Sequence, residues 1–140
     1  MPIKNYTTKI SAAQTVGEIQ ALLAKKGARQ IMFDYSVDGH ISFVCFTIET
    51  SKGLQGVKLP SNTDKLLEVL KRDGIKADYT KAENIAWRIV KDWLDAQLAI
   101  LETEMVTIDQ VLLPYFINKN GQTLFELYDS GHLMLENEAN

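Results

Sequence analysis

The chain has 140 residues, 46% hydrophobic and 24% charged, with one cysteine and a net charge of −3. That is one domain's worth of globular sequence, and it excludes disordered, collagen-like and disulfide-stapled classes. No apolar run approaches the ~18 residues of a membrane-spanning helix.

The polar opening Ile3-Lys4-Asn5-Tyr6-Thr7-Thr8 predicts no secretory signal, so a cytoplasmic protein is expected. Residues 1–72 hold ten Lys or Arg against six Asp or Glu, and residues 73–140 hold five against twelve. Such an asymmetry fits either a polarised surface or charges scattered over solvated faces, on a chain too acidic for a general nucleic-acid binder.

Thr15 and Glu18 have capping-box spacing, and Val16, Ile19, Leu22 and Leu23 follow on one face, which predicts a helix over 15–26 before Gly27. From Ile31 the period becomes two. Asp38-Gly39 marks a hairpin turn into a strand from Ile41 to Ile48, and Lys52-Gly53 turns into a third strand from Leu54 to Leu59. Ser61, Asn62 or Thr63 then caps a helix carrying Leu66, Leu67, Val69 and Leu70, which stops at Gly74. Thr80 and Glu83 repeat the capping-box spacing and open the longest helix, over 81–105. Thr107 caps a short helix near Pro114, 118–121 is a turn, and 123–128 reads equally as helix or strand. The order α-β-β-β-α-α-α predicts an α+β fold, a three-stranded antiparallel meander packed on helices. One domain is expected over 1–135, with 136–140 frayed.

The long helix carries apolar side chains over roughly 220° of its circumference, where a one-sided helix needs little more than 100°. Ala82, Ile85, Ala86, Ile89, Trp93, Ala96 and Ile100 form one stripe; Trp87, Val90, Leu94, Leu98, Leu101 and Met105 form another. A small sheet covers one. The other needs the remaining helices or a second copy, and a homo-oligomer is the expected solution. Gln97 lies between the stripes, so its amide needs a core hydrogen bond, a ligand, or its own symmetry mate.

Enzymatic constellations are thin, and no enzyme, cofactor or metal is expected. His40 and His132 fall in no nucleophile or metal spacing, and Cys45 reads as a small core residue. The first five elements share their order with double-stranded-RNA-binding domains, but the helix start Asn62-Thr63-Asp64-Lys65 lacks the basic cluster those domains use. Nucleic acid is therefore not an expected partner. A small anion fits better. Arg88 and Lys91 lie beside Trp87 on one helical turn, and Tyr115, Phe116, Asn118, Asn120 and Thr123 form a polar-aromatic segment after it. Cations for phosphate, aromatics for stacking and amides for base edges are what a nucleotide pocket needs. The competing reading is a capped, exposed turn beside a core aromatic.

The start Ile3-Lys4-Asn5-Tyr6-Thr7-Thr8-Lys9 resembles a family of small phage and prophage proteins. So do Ala86-Trp87-Arg88, Lys91-Asp92-Trp93, Ala96-Gln97-Leu98-Ala99, Leu113-Pro114-Tyr115 and Gly121-Gln122-Thr123-Leu124. The layout also resembles the phage Thoeris anti-defence proteins of the nucleotide-sponge kind. That resemblance implies an antiparallel sheet on long, oligomerising C-terminal helices, and sequestration of a cyclic ADP-ribose-type signal between protomers without cleavage. It maps no ligand residue onto this chain. The residues themselves give the expected site: Trp87 or Tyr115 stacking a base, Arg88 and Lys91 holding phosphates, and Gln97, Asn118, Asn120 and Thr123 orienting the ligand. A protein-binding inhibitor or scaffold using the second stripe, and an accessory factor of phage DNA metabolism, are the alternatives.

Overall fold

The computed structural model describes residues 3–131. Its elements are α1 (Ala12–Lys25), β1 (Arg29–Tyr35), β2 (Ile41–Thr50), β3 (Gly53–Pro60), α2 (Thr63–Arg72), α3 (Tyr79–Glu102), α4 (Ile108–Leu112), a 3-10 turn (Leu113–Tyr115) and α5 (Leu124–Asp129). The three strands form an antiparallel meander in the order β1-β2-β3, which makes the fold α+β as expected. The 123–128 ambiguity resolves as helix α5. No helix among the described residues is long and apolar enough to cross a membrane. His132 and the frayed tail expected at 136–140 lie outside the described residues.

Both capping boxes expected at the main helices are displaced. Helix α1 starts at Ala12, where the Ser11 hydroxyl accepts the Gln14 N–H at 3.1 Å. The apolar ladder Ala12, Val16, Ile19 and Leu23 runs one turn further upstream than the Thr15 start predicted. Helix α3 starts at Tyr79, with Asp78 accepting the Lys81 N–H at 2.8 Å, and ends at Glu102 rather than Met105. Thr15 and Glu83 are released for tertiary work. True capping boxes form at Thr107–Gln110 and Thr123–Glu126.

Alternation along β2 sends Val44, Phe46 and Ile48 into the core, and an irregularity in the β1–β2 register lets Ile41 join them. There they meet Val57 and Leu59 of β3, Val16, Ile19 and Leu23 of α1, and Trp87, Leu94 and Leu98 of α3. A second core joins Leu66 and Leu70 of α2 to Ala82, Ile85 and Ala86 of α3. The chain's own α2 therefore covers the first half of the stripe whose partner the sequence left open. That stripe then empties along the helix: Ile89 and Trp93 are half-buried, and Ala96 and Ile100 are exposed, as is the adjacent Ala99. Met105, beyond the helix end, is 80% exposed.

The polar arc of α3 is a helix–helix interface. Asn84 Oδ1 accepts the Ala12 N–H at 2.8 Å, Arg88 reaches Thr15 and Glu18 on α1, and Asp92 accepts from Asn5 at 2.9 Å and pairs with Lys4. Lys26 and Glu102 form a further ion pair across the two helices. These contacts hold carboxyls below their ordinary values: Asp92 chiefly through the Asn5 amide, and Glu102 chiefly through the Lys26 ammonium. A carboxyl depressed in the fold stabilises it above its unfolded pKa, and that contribution is lost as pH falls through the folded value. Stability is expected to be level near neutrality and to fall below about pH 4. Urea melts across pH should show a shallower acid loss in Asn5→Ala than in the parent chain.

Candidate functional site

The residues expected to bind a ligand do not form one pocket. Trp87 is 0% exposed, and its Nε1–H donates to the Ile41 carbonyl at 3.1 Å. It lies edge-to-face against Phe33 with ring centroids 6.0 Å apart, so its expected base-stacking role is corrected to a core role. Arg88 Nη1 donates to Glu18 Oε1 at 3.0 Å and to Thr15 Oγ1 at 3.3 Å, with its side chain 15% exposed. Lys91 lies 2.6 Å from Asp95 and 4.0 Å from Glu18. The two expected phosphate-holding cations are thus engaged by α1 and by α3 itself. Truncating Arg88 to alanine should therefore lower stability by about 1–2 kcal/mol, read by thermal melting, because it strands the buried Thr15 hydroxyl and unpins α1.

Asn118, Asn120 and Thr123 shape a turn. Asn118 Oδ1 accepts the Asn120 N–H at 2.9 Å and the Gln122 N–H at 3.0 Å, and Thr123 caps α5 through Glu126. The same segment closes the open edge of β3. The Ile117 N–H donates to the Gly56 carbonyl at 3.0 Å, and Gln55 Nε2 donates to the Ile117 carbonyl at 3.0 Å. A Cβ at Gly56 would sit 2.9 Å from the Ile117 side chain, so the glycine permits this approach. Gln97 is half-buried, one helical turn beyond Trp93.

Of the expected residues, Tyr115 alone lines a groove beside the end of β3. This groove holds about 250 Å³ and is walled by Leu59 and Pro60 of β3, Asn62, Ile89, Val90 and Trp93 of α3, and Tyr115. The Trp93 and Tyr115 rings meet edge-to-face at 5.6 Å. Two further depressions share Pro60 and Asn62 with it. One is apolar, bordered by Ile3, Leu66, Val69 and Ala86. The other, about 330 Å³, is polar and lined by Ser42, Ser61, Thr63, Asp64, Lys65 and Tyr79.

All three depressions converge on Asn62, which adopts φ +57° at the N-cap of α2 without giving that helix a side-chain cap bond. A left-handed backbone is uncommon for a residue other than glycine, and asparagine is among the side chains that tolerate it. Pro60, paired opposite Phe43 of β2, ends β3 without an N–H to donate.

Behind the polar depression, Glu83 is 6% exposed. Its Oε2 accepts the Ile41 N–H at 2.6 Å, and its Oε1 lies 3.2 Å from His40 Nδ1. The His40 ring meets Tyr79 edge-to-face at 4.5 Å. Burial, then the Asp64 and Glu83 carboxylates, push the Tyr79 phenol up, so it stays protonated and able to donate.

From the sequence, Trp93 reads as part of an apolar stripe and Asn62 as one of three candidate caps, while nothing there singles out Pro60 or Tyr79 for a binding role. Trp93 was recoverable, since an aromatic on the uncovered stripe is a natural groove wall. The left-handed Asn62 had no visible signal. No group of three or more His, Cys, Asp or Glu is arranged to hold a metal among the described residues. Compared with known proteins, the chain matches no family model, no curated protein and no solved structure.

Proposed function

We propose that this is a non-enzymatic binding protein that holds a nucleotide-like small molecule in the Trp93–Tyr115 groove. The observation that carries this reading is the juxtaposition at Asn62 of an aromatic-walled apolar groove and a polar depression. A ligand with a flat apolar end and a hydroxylated end fits that division. Its base lies against Trp93 and Tyr115, and its polar remainder turns toward Ser42, Lys65 and Tyr79.

In this reading the protein retains a cyclic nucleotide signal of the cyclic ADP-ribose type and releases it unchanged. That is the sequestering role, in the cytoplasm of an infected bacterium, implied by the resemblance to phage anti-defence proteins. A second copy covers the bare end of α3 at Ala96, Ala99 and Ile100, beside the groove.

Native mass spectrometry with cyclic nucleotides and ADP-ribose isomers tests both parts. The expected result is a homo-oligomer that retains at least one of them intact. Failure to retain any, or conversion of the ligand, contradicts the reading. A monomer in light scattering would instead favour the protein-binding alternative, because Ile100, Met105, Leu113, Phe125 and Tyr128 would then stay exposed for a foreign partner.

A further inference from the structure

We infer that the polar end of the groove recognises the vicinal hydroxyls of a ribose through Asp64, with any phosphate left outside in solvent. This rests on the nucleotide-binding reading of the groove and narrows its ligand class.

Charge is the first reason. The three depressions contribute one ammonium, Lys65, and one carboxylate, Asp64, so the lining carries no net charge to meet a phosphate. Lys65 is also answered by Glu68 at 3.5 Å. Asp64 stands in the first turn of α2 and already meets the positive end of that helix. Of the α3 cations, Arg88 and Lys91 are engaged with Glu18 and Asp95, and the Lys81 ammonium donates to the Lys76 carbonyl at 3.3 Å.

Hydrogen-bonding chemistry is the second reason. A carboxylate accepts two O–H donors side by side, which is how acidic residues hold ribose diols. Around Asp64 stand the Ser42 hydroxyl and the Tyr79 phenol; the phenol hydrogen-bonds to the Asp64 carboxylate, whose remaining lone pairs can accept ligand hydroxyls. The Ser61 and Thr63 hydroxyls face each other at 2.8 Å and close the floor behind them. A phosphate dianion, an acceptor only, would face the Asp64 charge directly; a diol would not.

Adenosine, 2′,3′-dideoxyadenosine and 5′-AMP, titrated by calorimetry against the whole chain, test the assignment. Adenosine and AMP are expected to bind within about threefold of each other, and loss of the diol to weaken binding about tenfold. Asp64→Asn, an exposed change expected to lower the melting temperature only slightly through the lost helix-dipole contact, should erase the preference for the diol and leave dideoxyadenosine binding intact. Equal binding of adenosine and dideoxyadenosine, or binding of AMP far above adenosine, overturns the diol assignment while leaving the groove reading standing. If none of the three binds, the groove reading falls and the assignment falls with it.

Discussion

Replacing Trp87 with alanine is expected to lower the free energy of unfolding by about 3–5 kcal/mol, the range for deleting a large buried aromatic. The indole is fully buried where α3 crosses the sheet, among Val44, Phe46 and Leu94 in the same core. Its removal opens a cavity and also strands the Ile41 carbonyl that accepts its N–H. Trp87→Phe should recover most of the packing and none of the hydrogen bond, so about 1–2 kcal/mol of loss should persist. Urea melts of the two variants read this difference. A Trp87→Ala protein as stable as the parent would mean the α3–sheet core is not as described.

Glu83→Ala is expected to cost about 2–3 kcal/mol, more than its position near a helix start implies. Glu83 is the acceptor for the first amide of β2, at 2.6 Å, and it also engages His40. Without it the Ile41 N–H is buried and unpaired, and the β1–β2 hairpin keeps only the Trp87 indole bond as its hydrogen-bonded tie to α3 at Ile41. Glu83→Gln keeps an acceptor at the same reach and should lose less than half as much. Hydrogen exchange at the Ile41 amide checks the mechanism independently of global melting. The expected result is strong protection in the parent, faster exchange in Glu83→Gln and the fastest in Glu83→Ala.

Periodicity made much of this architecture legible. The shift from helical to alternating spacing at Ile31, the Asp38-Gly39 turn and the apolar stripes of α3 all carry information about burial, which dominates folding. Helix starts were less legible because Thr15 and Glu83 satisfy the capping pattern locally and are used elsewhere. Thr15 receives Arg88, and Glu83 receives Ile41. A capping box stabilises a helix by about 1 kcal/mol per bond, which a tertiary contact readily outbids.

The polar arc misled for a related reason. Arg88, Lys91 and Asp92 look like a solvated or ligand-facing surface, but α1 and the Lys4–Asn5 segment bring complementary groups that are distant in sequence. Apolar periodicity marks buried faces and carries no trace of a polar helix–helix seam. The groove was hidden for a third reason. It depends on the left-handed backbone at Asn62 and on where the 3-10 turn sets Tyr115 against Trp93.

The two tryptophans allow the groove to be tested directly. In a ¹H–¹⁵N correlation spectrum, each indole N–H gives one resonance, Trp93 beside the groove and Trp87 bound to the Ile41 carbonyl. Titration with a nucleotide that the protein retains should move the Trp93 indole and the amides of Asn62, Ile89 and Tyr115, while the Trp87 indole stays still. Shifts centred instead on Arg88, Lys91 and the Asn118–Thr123 turn, with Trp93 unmoved, would contradict the placement of the site.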